Sequence, residues 1–196
     1  MQCALIRNLE VGDKMSKYLL ERIIGMSLHE KRRLVMEIEE LACDNERRRK
    51  GCCRNVLTAL QTNLGLGDGD LFRAAVPLGG GIARSGGTCG ALLGGLMAIG
   101  LAYCKDKQDL SERIPSPSYE EAMAQSIKLL DRFKDSFGSL DCRDIQKSTF
   151  GKYYDLKIPH EAKKLAEFNR KAGYPVIAMG ARVAAELILG ISKMHH

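Results

Sequence analysis

Along most of this chain apolar side chains return every three or four residues, the spacing that puts them on one face of an α-helix. Met15 to about Asn63 reads as helix interrupted once, near Gly25 to Ser27, with Leu34, Ile38 and Leu41 opposite a face of Glu and Arg. Asn55 to Leu66 continues it through Val56, Leu57, Leu60 and Leu64, and Gly65, Gly67 and Gly69 end it. A short helix, Asp70 to Val76, is expected to stop at Pro77. Cys89 to Tyr103 follows with Thr88 as its cap, then Tyr119 to Phe137, a short helix after the Phe137–Arg143 turn, His160 to Lys171 after Pro159, and a last helix opened by Pro175 and running to Ile191. Lys105 to Ser118, with Pro115 and Pro117, reads as a linker. No segment alternates with period two, so the pattern predicts an all-α, single-domain helical bundle with a Gly-rich loop between helices. Residues 1–50 read as an N-terminal helical extension and 51–194 as the main domain.

The loop departs most from this pattern. From Leu78 to Gly90 it holds six glycines in thirteen residues, so its backbone must use positive φ or pass very close to something. The helix that follows carries Gly90, Gly94 and Gly95, which cost helix propensity and permit close approach. It is also apolar on nearly every side, through Leu92, Leu93, Leu96, Met97, Ile99 and Leu101. Such a helix is either the centre of a bundle or part of an interface, and a homodimer is one expectation.

Composition excludes more than it identifies. With 196 residues, 45% hydrophobic and 28% charged, the chain is ordinary globular material. The net charge of +6 is spread along the chain, and the basic run Glu46–Lys50 has no interleaved aromatic residue, so no nucleic-acid partner is expected. The longest apolar stretch, Ala91 to Tyr103, is too short to span a membrane, and Met1 to Val11 lacks a signal core; cytoplasmic residence is the expectation. His195 and His196 read as the stub of an expression tag.

Seven cysteines are many for a chain read as cytoplasmic, where structural disulfides are rare. Cys3, Cys43 and Cys104 read as small buried hydrophobes. Cys52 and Cys53, Cys89, and Cys142 sit instead near three separate turns, and convergence on one centre would suit an iron–sulfur cluster, zinc or a dithiol pair. Cys89, placed at a helix start with Arg84 five residues upstream, is expected to have a lowered pKa. The segment Gly81–Thr88 also outlines a phosphate-binding loop, but Gly87 stands where that motif needs Lys.

Cys52–Leu57, Gly79–Arg84, Thr88–Gly94 and Phe137–Ser139 with Cys142–Arg143 resemble, in order and spacing, the C-GCAxxG-C-C family of redox-active proteins. The resemblance implies a small helical protein using signature cysteines for redox chemistry or an iron–sulfur centre. A related domain occurs in the dimeric split-Soret type of cytochrome. On this match Cys52, Cys89 and Cys142 are three of four signature cysteines. The fourth is missing, since Lys171 to Val183 contains none, leaving Cys53, Cys104 or His160 to substitute, or else a centre with only three ligands. No Cys-x-x-Cys-His is present for covalent haem.

The expectation is a redox-active protein in electron transfer or redox sensing, with an unknown redox partner. Cys89, Cys52 and Cys142 are its reactive residues; these three with Cys53 are its metal ligands. Gly80, Gly81, Arg84 and Gly90 are its cofactor-binding residues, through N–H groups lent to sulfur. Zinc, or no metal with thiol–disulfide chemistry, are alternatives, as are a non-catalytic helical scaffold and nucleotide binding by the loop.

Overall fold

The structure is a computed structural model that describes residues 21, 23–104 and 117–191. The predicted helix start at Met15, Cys3, the linker from Lys105 and the terminal His pair lie outside the described residues. Eight α-helices are described: α1 (Leu28–Arg48), α2 (Cys52–Leu64), α3 (Gly69–Ala74), α4 (Gly90–Tyr103), α5 (Pro117–Phe137), α6 (Cys142–Phe150), α7 (Pro159–Ala172) and α8 (Pro175–Ile188). No strand occurs among the described residues, so the all-α reading holds.

Local signals set the ends. Ser27 and Glu30 form a capping box that starts α1, the Glu30 carboxylate accepting the Ser27 N–H at 2.8 Å. The reading of one continuous helix to Asn63 fails at Arg49–Gly51. There Arg49 is extended, and Gly51 takes φ +140°, closed to other residues without strain. The Glu46 carboxylate accepts both the Gly51 N–H and the Asn55 side-chain amide, which locks this break. The consequence is functional, because Cys52 and Cys53 become the first residues of a new helix. Pro77 does not stop α3; it lies in a 3₁₀ turn, Val76–Leu78, where its missing N–H is no loss.

Helix α4 is the axis of the bundle, packed by α2, α5 and α8, with α1 laid across α2 and α8. Its apolar residues all round are taken up inside the chain, Leu92 and Ile99 being wholly buried and Leu93, Leu96 and Met97 packed against the core. Its glycines set the spacing: a Cβ on Gly94 would lie 2.4 Å from the Cys53 carbonyl oxygen, and one on Gly180 of α8 2.9 Å from that of Ala91. Helix α1 shares this core through Val35, Ile38 and Ala42. One ion pair ties α5 to α8, Arg132 Nη1 to Glu186 Oε2 at 2.6 Å, with Glu186 only 2% exposed. Helix α7, although fourteen residues long, buries only Leu165.

Candidate functional site at the N-terminal end of α4

The loop before α4 folds into something that propensity alone would not produce. Gly80, Gly81, Ile82, Ala83 and Arg84 all have φ between 48° and 72°, five successive residues in left-handed geometry. Two are glycine, but Ile82, Ala83 and Arg84 carry a penalty of roughly 1–2 kcal/mol each. Backbone bonds hold the turn: Ala83 N–H donates to the Pro77 carbonyl at 2.7 Å and Gly87 N–H to that of Gly81 at 3.1 Å. The phosphate-loop reading is overturned here, since helix and 3₁₀ turn precede the loop in place of a strand.

After this turn the chain runs antiparallel to the residues before α6. Cys89 N–H donates to the Leu140 carbonyl at 2.8 Å, Cys142 N–H to that of Gly87 at 2.7 Å and Arg143 N–H to that of Gly86 at 2.9 Å, around an isolated bridge between Thr88 and Asp141. This clamp sets Cys89 beside Cys142, residues 53 apart in sequence. It also removes Thr88 from the capping role expected of it: the cap of α4 is Cys89 itself. Asp141 caps α6 by position, while the Ser139 hydroxyl accepts the Asp141 N–H at 3.1 Å.

Glycines bring the third cysteine in. A Cβ on Gly90 would meet Cys52 Sγ at 2.4 Å, and one on Gly81 would meet the Cys142 Cβ at 2.8 Å. Cys52, Cys89 and Cys142 thus line one cavity of about 580 Å³, together with Gly80 and Arg84. Cys53 points elsewhere; it is fully buried, its Sγ 3.9 Å from the Met97 sulfur in the core. Cys104 caps the far end of α4, about 20 Å from Cys89 at 1.5 Å per residue. His160 is exposed and does not line the cavity.

The electrostatics reverse the expectation for Cys89. Burial is the first cause and pushes its thiol well up, with repulsion from Cys52 and Cys142 adding to it; the N–H groups of Ala91 and Leu92 face the sulfur without closing a cap bond and oppose this weakly. Arg84 is exposed and donates to the Leu156 carbonyl at 3.3 Å. Desolvation therefore outweighs the helix terminus. Burial likewise raises Cys52 to about 12, with Glu46 adding to the rise and the Gly80 and Cys53 N–H groups opposing it. Cys142 is raised by burial too, although the Gln146 amide donates to its sulfur at 3.3 Å. Without a cation these three thiols are neutral near pH 7.

Two polar residues that spacing did not single out organise this wall. Gln146, 4% exposed, holds Cys142 with its amide nitrogen and accepts the Tyr154 N–H at 2.9 Å with its oxygen. Glu46 closes the Gly51 break beside Cys52. A polar residue one turn after a cysteine was the only trace of Gln146 in the sequence.

The family model described as "Putative redox-active protein (C_GCAxxG_C_C)" matches residues 51–173, more than half of the chain. The chain belongs to this C_GCAxxG_C_C family. Among curated proteins and solved structures no significant match was found. The matched span runs from the Gly51 break to the Gly173 turn, so it contains all three cavity cysteines of this C_GCAxxG_C_C protein and the loop that gathers them. Among the described residues no helix is long and apolar enough to cross a membrane. Nor, among them, does any group of three or more His, Cys, Asp or Glu side chains converge closely enough to hold one metal ion.

Proposed function

We propose that this C_GCAxxG_C_C protein is a redox protein whose Cys52, Cys89 and Cys142 thiolates hold an iron–sulfur cluster used in electron transfer or redox sensing. One observation carries the reading: three cysteines from three distant turns line a single cavity of about 580 Å³. Thiolates of a cluster bind different iron atoms and stand farther apart than the ligands of one ion, so a roomy cavity ringed by separate thiols suits a cluster better than a single zinc. The cluster would supply one-electron chemistry.

The chain's own part is to supply soft ligands, keep water off them and aim N–H groups of Gly80, Cys53, Ala91 and Leu92 toward sulfur, which tunes a centre's potential. Burial supports a metal over an unassisted nucleophile, because a neutral buried thiol reacts slowly while a cation beside it stabilises its anion. Cys53, Cys104 and His160 do not face the cavity, so among the described residues three thiols line it, and a fourth ligand would come from outside these side chains.

Anaerobic reconstitution with ferrous iron and sulfide tests this. Brown protein with iron and acid-labile sulfide, lost in each of Cys52→Ser, Cys89→Ser and Cys142→Ser and kept in Cys53→Ser, is the expected result. Unchanged iron content in all three cavity variants would sink it.

A further inference from the structure

The cavity that holds the thiols has a second wall whose chemistry sulfur does not explain. Ala162, Leu165, Ala166 and Asn169 lie at helical spacing on one face of α7, and all four line the cavity. An amphipathic helix normally presses such a face onto other side chains. Here α7 buries only Leu165 and is held at its ends: Phe168 stacks against Phe150 at 5.9 Å and Tyr154 at 5.7 Å, and the Asp155 N–H donates to Glu161 at 2.6 Å. The helix roofs a space of small-molecule size, within the roughly 300–1,000 Å³ typical of ligand sites.

The charge around that space is mainly positive. Lys50, Arg54 and Arg84 line it, Lys50 and Arg84 being exposed and so marking its mouth. The Arg54 guanidinium lies over the Phe72 ring and donates through Nη2 to the Lys50 carbonyl, but its Nε is buried with no hydrogen-bond partner, an orphan donor that carries a cost of about 1–3 kcal/mol until something accepts from it. Among the described residues Glu46 is the one acid in the lining, and the Gly51 N–H and Asn55 amide already occupy its carboxylate. A molecule entering here therefore meets cations first and then the apolar surface of Phe150, Leu156, Leu165 and Ile177.

We infer that the cavity beneath α7 binds an organic anion with an apolar body, its charged group at Lys50, Arg54 and Arg84 and its body against α7, beside the thiols. The inference deepens the redox reading by naming the class of molecule that shares the site, and rests on that reading only for the identity of the neighbouring centre. Arg54 and Arg84 select the anion; Ala162 and Ala166 leave room for the body.

Two fluorescent probes with the same aromatic body separate the parts, using the full chain: anilinonaphthalene sulfonate, an anion, and neutral phenylnaphthylamine. The anion is expected to bind at least about tenfold more tightly, as one or two charge-assisted hydrogen bonds imply. Arg54→Met and Arg84→Met should each weaken the anion about tenfold and change the neutral probe less than twofold. Ala166→Phe should abolish both, its fold checked by thermal melting; Arg84→Met, at an exposed position, keeps the test decisive if Ala166→Phe does not fold. Equal affinity for the two probes, or anion binding unchanged by the arginine variants, overturns the inference. Anaerobic reconstitution of the wild-type chain, followed by the same two probes, separates the two readings: selective anion binding in a wild-type protein that takes up no iron leaves this inference standing and removes the cluster, whereas iron uptake without anion selectivity does the reverse.

Discussion

The two sides of α4 use small residues for opposite ends. Toward α2 and α8 the chain is dry, and Gly94 and Gly180 let helix backbones meet at a distance that no Cβ would permit. At its N-terminal end, under α7, equally small residues line a hollow: Ala83, Ala162 and Ala166 all border it. On the first side a missing side chain means contact, and on the second it means room. Adding the same few atoms should therefore have opposite signs on the two sides.

The largest effect is expected at the buried ion pair that fastens the dry side. Arg132→Met leaves the Glu186 carboxylate, 2% exposed, without its partner and should cost about 3–5 kcal/mol in chemical denaturation. Gly94→Ala comes next, at about 2–3 kcal/mol, because the new Cβ would stand 2.4 Å from the Cys53 carbonyl oxygen. A neutral Gly94→Ala would mean that α2 and α4 separate easily and would dissolve the contrast.

Alkaline pH probes the thiols on both sides. Cys53 in the core and Cys52 on the cavity are each raised by burial from an ordinary value near 9 to about 12. Folded thiols then keep protons that unfolded thiols lose, so stability is full below pH 9 and falls as pH rises toward 12. The slope for the reduced, metal-free protein is about 1.4 kcal/mol per pH unit for each such thiol. Denaturation midpoints that stay constant between pH 8 and pH 10.5 would show the thiols to be more hydrated than their burial implies. On the hollow side Ala166→Leu should stabilise the metal-free protein by about 1 kcal/mol, as cavity filling commonly does. Smallest is the control on α4 itself: Gly100→Ala, with nothing within 4 Å of its added Cβ, should gain about 0.5–1 kcal/mol from helix propensity.

Helix positions were legible in the sequence because each rests on residues within one or two turns. Ser27 with Glu30, Pro159 and Pro175 set starts, and Gly65 and Gly173, both left-handed, set stops. The Gly51 break is not legible in the sequence because a lone glycine in a helical pattern is usually tolerated, and what enforces it here is the Glu46 carboxylate reaching forward to it. The raised pKa of Cys89 is hidden from the sequence for a similar reason: a helix start is visible there, whereas burial among Cys52, Cys142 and the apolar wall is not.

By itself the amino-acid order determined most of the helices, the turns closed by Gly65 and Gly173 and the three cysteine-bearing segments, since these depend on propensity, capping and the backbone freedom of glycine. Only the tertiary structure decided which cysteines meet. The pairing of Gly86–Cys89 with Leu140–Arg143 joins residues more than fifty apart, and Cys52 and Cys53, identical neighbours in sequence, are sent by one hundred degrees of helical rotation to different fates. One lines the cavity and the other packs on Met97 in the core. Side-chain direction on a helix is local, but what lies in that direction is set by chain that arrives from elsewhere.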